Sequence, residues 1–208
     1  MQHTESLSCD RLGRFRLHAE PKMLWPFNRF GNFCAPSRRT IETIYGMIVA
    51  QAREPAFYIS YNTPDTVNGR LDLLILHLWL VLRRLRQEAN GAEVSQALFD
   101  RFCADMDANL REMGVGDLTV PKRMQAFGEA FYGRSTAYDL AYESGVDDLA
   151  QALGRNVLDG KFPDSARRLA DYAVAANRAL EKAASASILS GLWTFPKPAA
   201  TSIGIGTE

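Results

Sequence analysis

Histidine and cysteine are scarce in this chain, three of each in 208 residues, and neither is grouped. Cys9, Cys34 and Cys103 are odd in number and far apart, which excludes a disulfide framework and points to a reducing compartment. Taken with His3, His18 and His77, they fit no zinc spacing. An excess of one charge is missing too. The 24 basic residues balance 24 acidic ones, so no overall field favours DNA, RNA or an anionic membrane. No N-terminal stretch runs from basic to apolar to small residues as a secretory signal does. Nor is there a long hydrophobic run: the longest goes from Leu73 to Leu82 and is interrupted by His77. As helix it covers about 15 Å, against roughly 30 Å of bilayer core, so it reads as a buried core helix.

Catalytic signatures are equally thin. Met23 opens a different kind of sequence and is expected to be the true start, which leaves His77 as the only histidine. It lies inside the apolar run, with no Gly-x-Ser-x-Gly turn to present a nucleophile, and reads as a core histidine bonded to a neighbour. On a helix Asp147 and Asp148 point about 100° apart and Asp105 and Asp107 about 200°, poor geometry for shared acid–base work. Gly114-Val-Gly116 lacks both the strand before it and the Gly-Lys-Ser/Thr after it that a phosphate loop requires. No catalytic residue, no metal ligand and no cofactor is expected.

What the chain does have is helical periodicity. Ile41, Ile44, Tyr45, Ile48, Val49 and Ala52 follow the spacing of one helix face, and Pro55 stops that helix just past Arg53. After an aromatic loop over 54–66, a helix apolar nearly all round is expected from Val67 to about Ala89, with Asp65 or Thr66 as its cap and Gly91 as its stop. Further helices are expected near Glu93 to Met113, from Pro121 towards Tyr142, and from about Asp147 to Val157. A last one, capped by Asp164, should reach about Leu189. The expected fold class is therefore all-α, a single irregular domain of about six helices around a central hydrophobic one. Residues 1–39 are expected as an N-terminal extension, 40–193 as the helical domain and 194–208 as a disordered tail.

Two surface features invite a function. The extension holds Trp25, Phe27, Arg29 and Phe30 without an acid between them, which suits either a membrane interface or an arm packed on the domain itself. Arg83, Arg84 and Arg86 form the densest basic cluster, either a solvated helix end favoured by the helix dipole or a partner-binding patch.

The stretch Tyr45-Gly-Met-Ile-Val-Ala-Gln-Ala-Arg53, then Pro55 and Phe57-Tyr58, resembles the opening of the ubiquinol–cytochrome c chaperone family. The likeness continues through Thr63-Pro-Asp-Thr-Val-Asn-Gly-Arg-Leu-Asp72, Leu76-His-Leu78 and Arg83-Arg-Leu85. It resumes at Leu98-Phe99, Asp105-Met-Asp107, Leu110-Arg-Glu-Met-Gly-Val-Gly-Asp-Leu118, Pro121-Lys122 and Ala130-Phe-Tyr-Gly-Arg134. Asn68 and Leu71 stand where Asp and Phe are expected. The resemblance implies a non-catalytic assembly chaperone that binds nascent cytochrome b beside the ribosome and membrane during biogenesis of ubiquinol–cytochrome c reductase. Mitochondrial members work with a small partner subunit. This short chain resembles a bacterial member, expected in the cytoplasm or peripherally on the cytoplasmic face of the inner membrane, with no DNA partner.

A chaperone for a membrane protein needs an exposed apolar surface beyond what its own folding requires. Phe57, Tyr58, Ile59 and Tyr61 lie in the expected loop, and adjacent Phe131 and Tyr132 point about 100° apart, so that one can face outward. Arg53, Arg70 and Arg134 flank them and suit a partner's carboxylates or polar loops. Alternatively the loop aromatics cover a helix junction while Asp65 and Arg70 fix the turn. Two other functions stay open: a ribosome- or RNA-associated factor working through Arg83, Arg84 and Arg86, and a haem or quinone carrier or enzyme of the same pathway, with His77 as the available axial ligand.

Overall fold

The longest apolar run lies in one helix whose middle has no solvent face: every residue from Asp72 to Leu82 is buried. The rest of the chain is wrapped round it. The structure, a computed structural model, describes residues 8–9, 15–16 and 36–199. Ser8–Cys9 and Phe15–Arg16 pair as a two-residue antiparallel ladder, β1 and β2. Everything else regular is helical: α1 (Arg38–Ala52), α2 (Pro55–Ile59), the central α3 (Val67–Leu85), α4 (Gly91–Glu112), α5 (Val120–Ser144), α6 (Val146–Val157), α7 (Pro163–Lys182) and α8 (Ser185–Ser190).

Local chemistry sets the boundaries. Ser37 Oγ accepts from Thr40 N at 3.1 Å and Thr66 Oγ1 from Gly69 N at 3.1 Å, capping α1 and α3. Each fully buried aliphatic side chain contributes roughly 1.5–3 kcal/mol, which makes α3 the main source of stability. One face of it is covered by α1, which also packs on α4, and another by α7. The most extensive helix contact is between α6 and α7, where Gly154 meets Ala166 and the backbones approach closely.

Four local expectations need correction. Residues 54–66 are not a free loop, because Pro55 opens the short helix α2. Gly91 does not stop α3, which ends at Leu85; it starts α4, buried where an added Cβ would run into the Leu85 carbonyl. Asp164 is not the cap of the last long helix. Phe162 stands there with φ of 56°, and Asp164 lies in the first turn; the helix itself breaks at Ala183 before α8 begins. Finally, 194–199 do not behave as a disordered tail. Gly191, at φ of 74°, turns the chain over Ile44, and the following residues lie against α1 and α3, with Trp193 and Pro198 buried.

Candidate functional site

Burial separates the aromatics of 54–66 into two sets. Phe57 is fully buried, its ring 5.4 Å from Tyr61, 5.3 Å from His77 and 4.9 Å from Tyr172. Tyr61 is buried too. Both were expected on a binding surface; the turn of α2 points them inward, so they cover a helix junction instead. Tyr58 is half-buried and donates its hydroxyl to Ala52 O at 2.9 Å. Burial raises its pKa above the ordinary value, and Arg70, Asp65 and Arg53 all act on it electrostatically. Arg53 and Arg70 are both exposed beside this half-buried ring's chain segment. Arg70 Nε donates to Asp65 Oδ1 at 2.7 Å, and that hydrogen bond holds the carboxyl below its usual range. Two aliphatic residues stand out from this rim, Ile59 at 66% exposure and Val67 at 68%. The α2–α3 loop is fixed from behind, where Asn62 Nδ2 donates to Ser165 Oγ at 2.8 Å and Arg168 to Ser60 O.

On α5 the adjacent aromatics divide, and Phe131, expected with Tyr132 as a client contact, faces the core instead. Phe131 is buried against Phe99 and Phe102, with ring centroids 5.0 and 5.9 Å away, and Tyr132 is exposed. Leu140 is also exposed on α5. Arg134 does not join Arg53 and Arg70; it turns inward to Asp72 Oδ1 at 2.9 Å. Burial pushes the Asp72 carboxyl up to about 6, against the lowering effect of Arg134 and with a small rise from Asp159.

The basic cluster is consumed internally. Arg83 reaches Asp139 at 3.1 Å and Glu143 at 2.5 Å and lies over the Tyr142 ring. Arg84 donates to Leu180 O at 3.0 Å and pairs with Glu88. Arg86 forks onto both Asp139 oxygens at 2.8 Å, and Trp79 Nε1 donates to the same carboxylate at 2.9 Å. A shallow cavity of about 380 Å³ between α3 and α5 is lined by Arg83, Arg86, Asp139 and Glu143, two charges of each sign. That balance removes the physical basis for a nucleic-acid patch here.

His77 is a core histidine. Nδ1 bonds Leu73 O at 2.7 Å and Nε2 bonds the Tyr172 hydroxyl at 2.8 Å, so both ring nitrogens are occupied and neither is presented as an axial ligand. Burial lowers its pKa to about 4. The Cys103 thiol is pushed up to about 12 by burial, which makes it a poor nucleophile. Among the described residues no three His, Cys, Asp or Glu side chains gather to hold a metal ion, and no helix is long and apolar enough to cross a membrane. The arm with Trp25, Phe27, Arg29 and Phe30 lies outside the described residues.

Sequence reasoning missed Val67 and Leu140: both are apolar residues on helices, and only the folded structure shows them outside. It also missed Gln51 and Tyr172. Gln51 donates to the Tyr172 hydroxyl at 3.0 Å and to Pro196 O at 3.1 Å, contacts with no local signal in the sequence.

Comparison with known proteins gives one consistent result. The profile described as "Ubiquinol-cytochrome C chaperone" matches residues 60–195. A frog relative (Xenopus laevis) called ubiquinol-cytochrome-c reductase complex assembly factor 1 is 29% identical over 122 residues, covering 58% of this chain and 61% of its own. The human protein of that name is 28% identical over the same length, and this chain spans 41% of it. The crystal structure of the Cbp3 homologue from Brucella abortus superposes with a TM-score of 0.70 at 34% identity, covering 76% of this chain and 90% of that one.

Proposed function

The chain belongs to the ubiquinol–cytochrome c chaperone family, and from that premise we propose that it holds newly made cytochrome b while a ubiquinol–cytochrome c reductase is assembled. It does so by binding and performs no reaction. The observation that carries the reading is the α2–α3 rim, where Ile59 and Val67 are two-thirds exposed although both sit on ordered helices. Aliphatic surface of that kind contributes nothing to the protein's own core and is available to an apolar segment of a client. Arg53 and Arg70, beside it, suit the polar loops that join such segments. Tyr132 on α5 is a second, separate contact point. The protein works beside the ribosome and peripherally on the membrane, where an unassembled membrane protein first needs cover; the relatives named for assembly of a ubiquinol-cytochrome-c reductase complex support the assembly role.

The test is site-specific photocrosslinking. A benzophenone amino acid is placed at Ile59, Val67 or Tyr132, with exposed Ala175 on α7 as control, in cells making the reductase. Cytochrome b adducts from Ile59 and Val67 but not from Ala175 are expected. Adducts with ribosomal proteins alone would overturn the reading.

A further inference from the structure

The segment after α8 crosses the junction of α1, α3 and α7 without forming any helix or strand. Gly191 turns it over Ile44, Thr43 and Met47 of α1. Phe195 then stands edge-on to the His77 ring at 5.2 Å and to Trp193 at 5.1 Å. Pro196 O accepts from Gln51 Nε2 at 3.1 Å, and Ala199 N donates to the Tyr61 hydroxyl at 3.0 Å. Removing this strap in thought uncovers a groove whose floor is Phe57, His77 and Tyr172 and whose rims are Gln51 and Tyr61.

Three features set this contact apart from core packing. Both groove groups that read the strap by hydrogen bonds, the Gln51 amide and the Tyr61 hydroxyl, bond to its main chain. They are therefore indifferent to which side chains the occupant carries. The strap's own sequence, Trp-Thr-Phe-Pro-Lys-Pro, is held extended by two prolines that fix φ and restrict the residue before each. Aromatic walls around a preformed extended backbone are a recurring mode of peptide recognition. The fit is also incomplete: the Trp193 indole N–H is buried without a hydrogen-bond partner among the described residues, so closing the strap strips that donor of water and gives it nothing in return.

We infer that the α1–α3–α7 groove is an exchangeable peptide-binding groove, with residues 193–199 as a built-in occupant that a client's extended aromatic-x-aromatic segment displaces. This deepens the chaperone reading and rests on it for the identity of the client. The strap lowers the groove's apparent affinity by the fraction of molecules in which it is closed, so that only a segment of matching chemistry opens it.

The inference is tested with a fluorescent synthetic peptide of residues 192–199, followed by anisotropy on the full chain. Phe195→Ala loosens the strap and leaves the groove intact; it is expected to take up the peptide about tenfold or more tightly than the unsubstituted chain. Adding Gln51→Ala to that variant should reverse the gain. A Phe195→Ala protein of native helical content that binds the peptide no better than the parent overturns the inference. Hydrogen exchange on the unsubstituted chain supplies a reading that needs no variant. The Ala199 amide should exchange far faster than amides in the middle of α3, and equal protection would mean that the strap is core. Because the peptide contains no cytochrome b, the two readings fail separately: peptide uptake without cytochrome b crosslinks sinks the client, and crosslinks without uptake sink the groove.

Discussion

The face of α3 that meets α5 and the face that meets α7 each bury an ionisable residue, and they treat it differently. Towards α5, Asp72 keeps a charged partner, Arg134 at 2.9 Å, yet burial still pushes its carboxyl up to about 6. Towards α7, His77 has no counter-charge; both nitrogens are satisfied by neutral groups, and burial lowers it to about 4. Burial therefore outweighs a single guanidinium on one side and favours the uncharged ring on the other. The pH consequences have opposite signs. Asp72 contributes stability that is full below pH 3.8 and lost as pH rises through about 6. His77 contributes stability that is present above pH 6.5 and lost as pH falls through about 4. The two contributions oppose each other and nearly cancel across that window.

The largest expected effect comes from emptying the α7 side. Phe57→Ala removes the ring that touches Tyr61, His77 and Tyr172 and should cost about 3–5 kcal/mol in urea unfolding; a loss under about 1 kcal/mol would mean the pocket refills. Next come the two titrations. His77→Phe should unmask Asp72, so that stability rises by roughly 3 kcal/mol between pH 6.5 and pH 4 relative to the parent curve. Asp72→Asn should unmask His77, and stability should fall by roughly 3 kcal/mol over the same range. Curves that stay parallel to the parent in both variants would show that neither group controls the window. The smallest effect is at the surface. Arg70→Met breaks the exposed pair with Asp65 and should leave the melting temperature unchanged, in contrast to the buried Asp72–Arg134 pair; a clear drop would mean that the rim depends on that pair for its shape.

The helices were largely legible because their apolar stripes are long and several end at prolines or glycines, as α1 does before Pro55. The central helix was the clearest of all, since a run from Leu73 to Leu82 has no other place to go. The site was legible only in outline. Arg53, Tyr58 and Arg70 stay at least partly exposed, but Phe57 and Tyr61 turn inward, and one turn of helix after Pro55 cannot be distinguished by pattern from an aromatic loop. Arg83 and Arg86 looked like a basic patch because Asp139, which neutralises them, is far away in sequence. The strap was misread for a similar reason: proline, glycine and threonine after Trp193 give the composition of a tail, and only Gln51 and Tyr61 reveal that it is held.

The central position of α3 also orders events during synthesis. The ribosome makes α3 before any of α7 exists, and the strap comes later still, yet these are the pieces that close over its apolar middle. Until the C-terminal third has emerged, the chain carries one side of its most hydrophobic segment uncovered, a state prone to aggregation. A nonsense or frameshift change that loses α7 therefore removes a whole covering element from the core. It leaves that side of α3 bare.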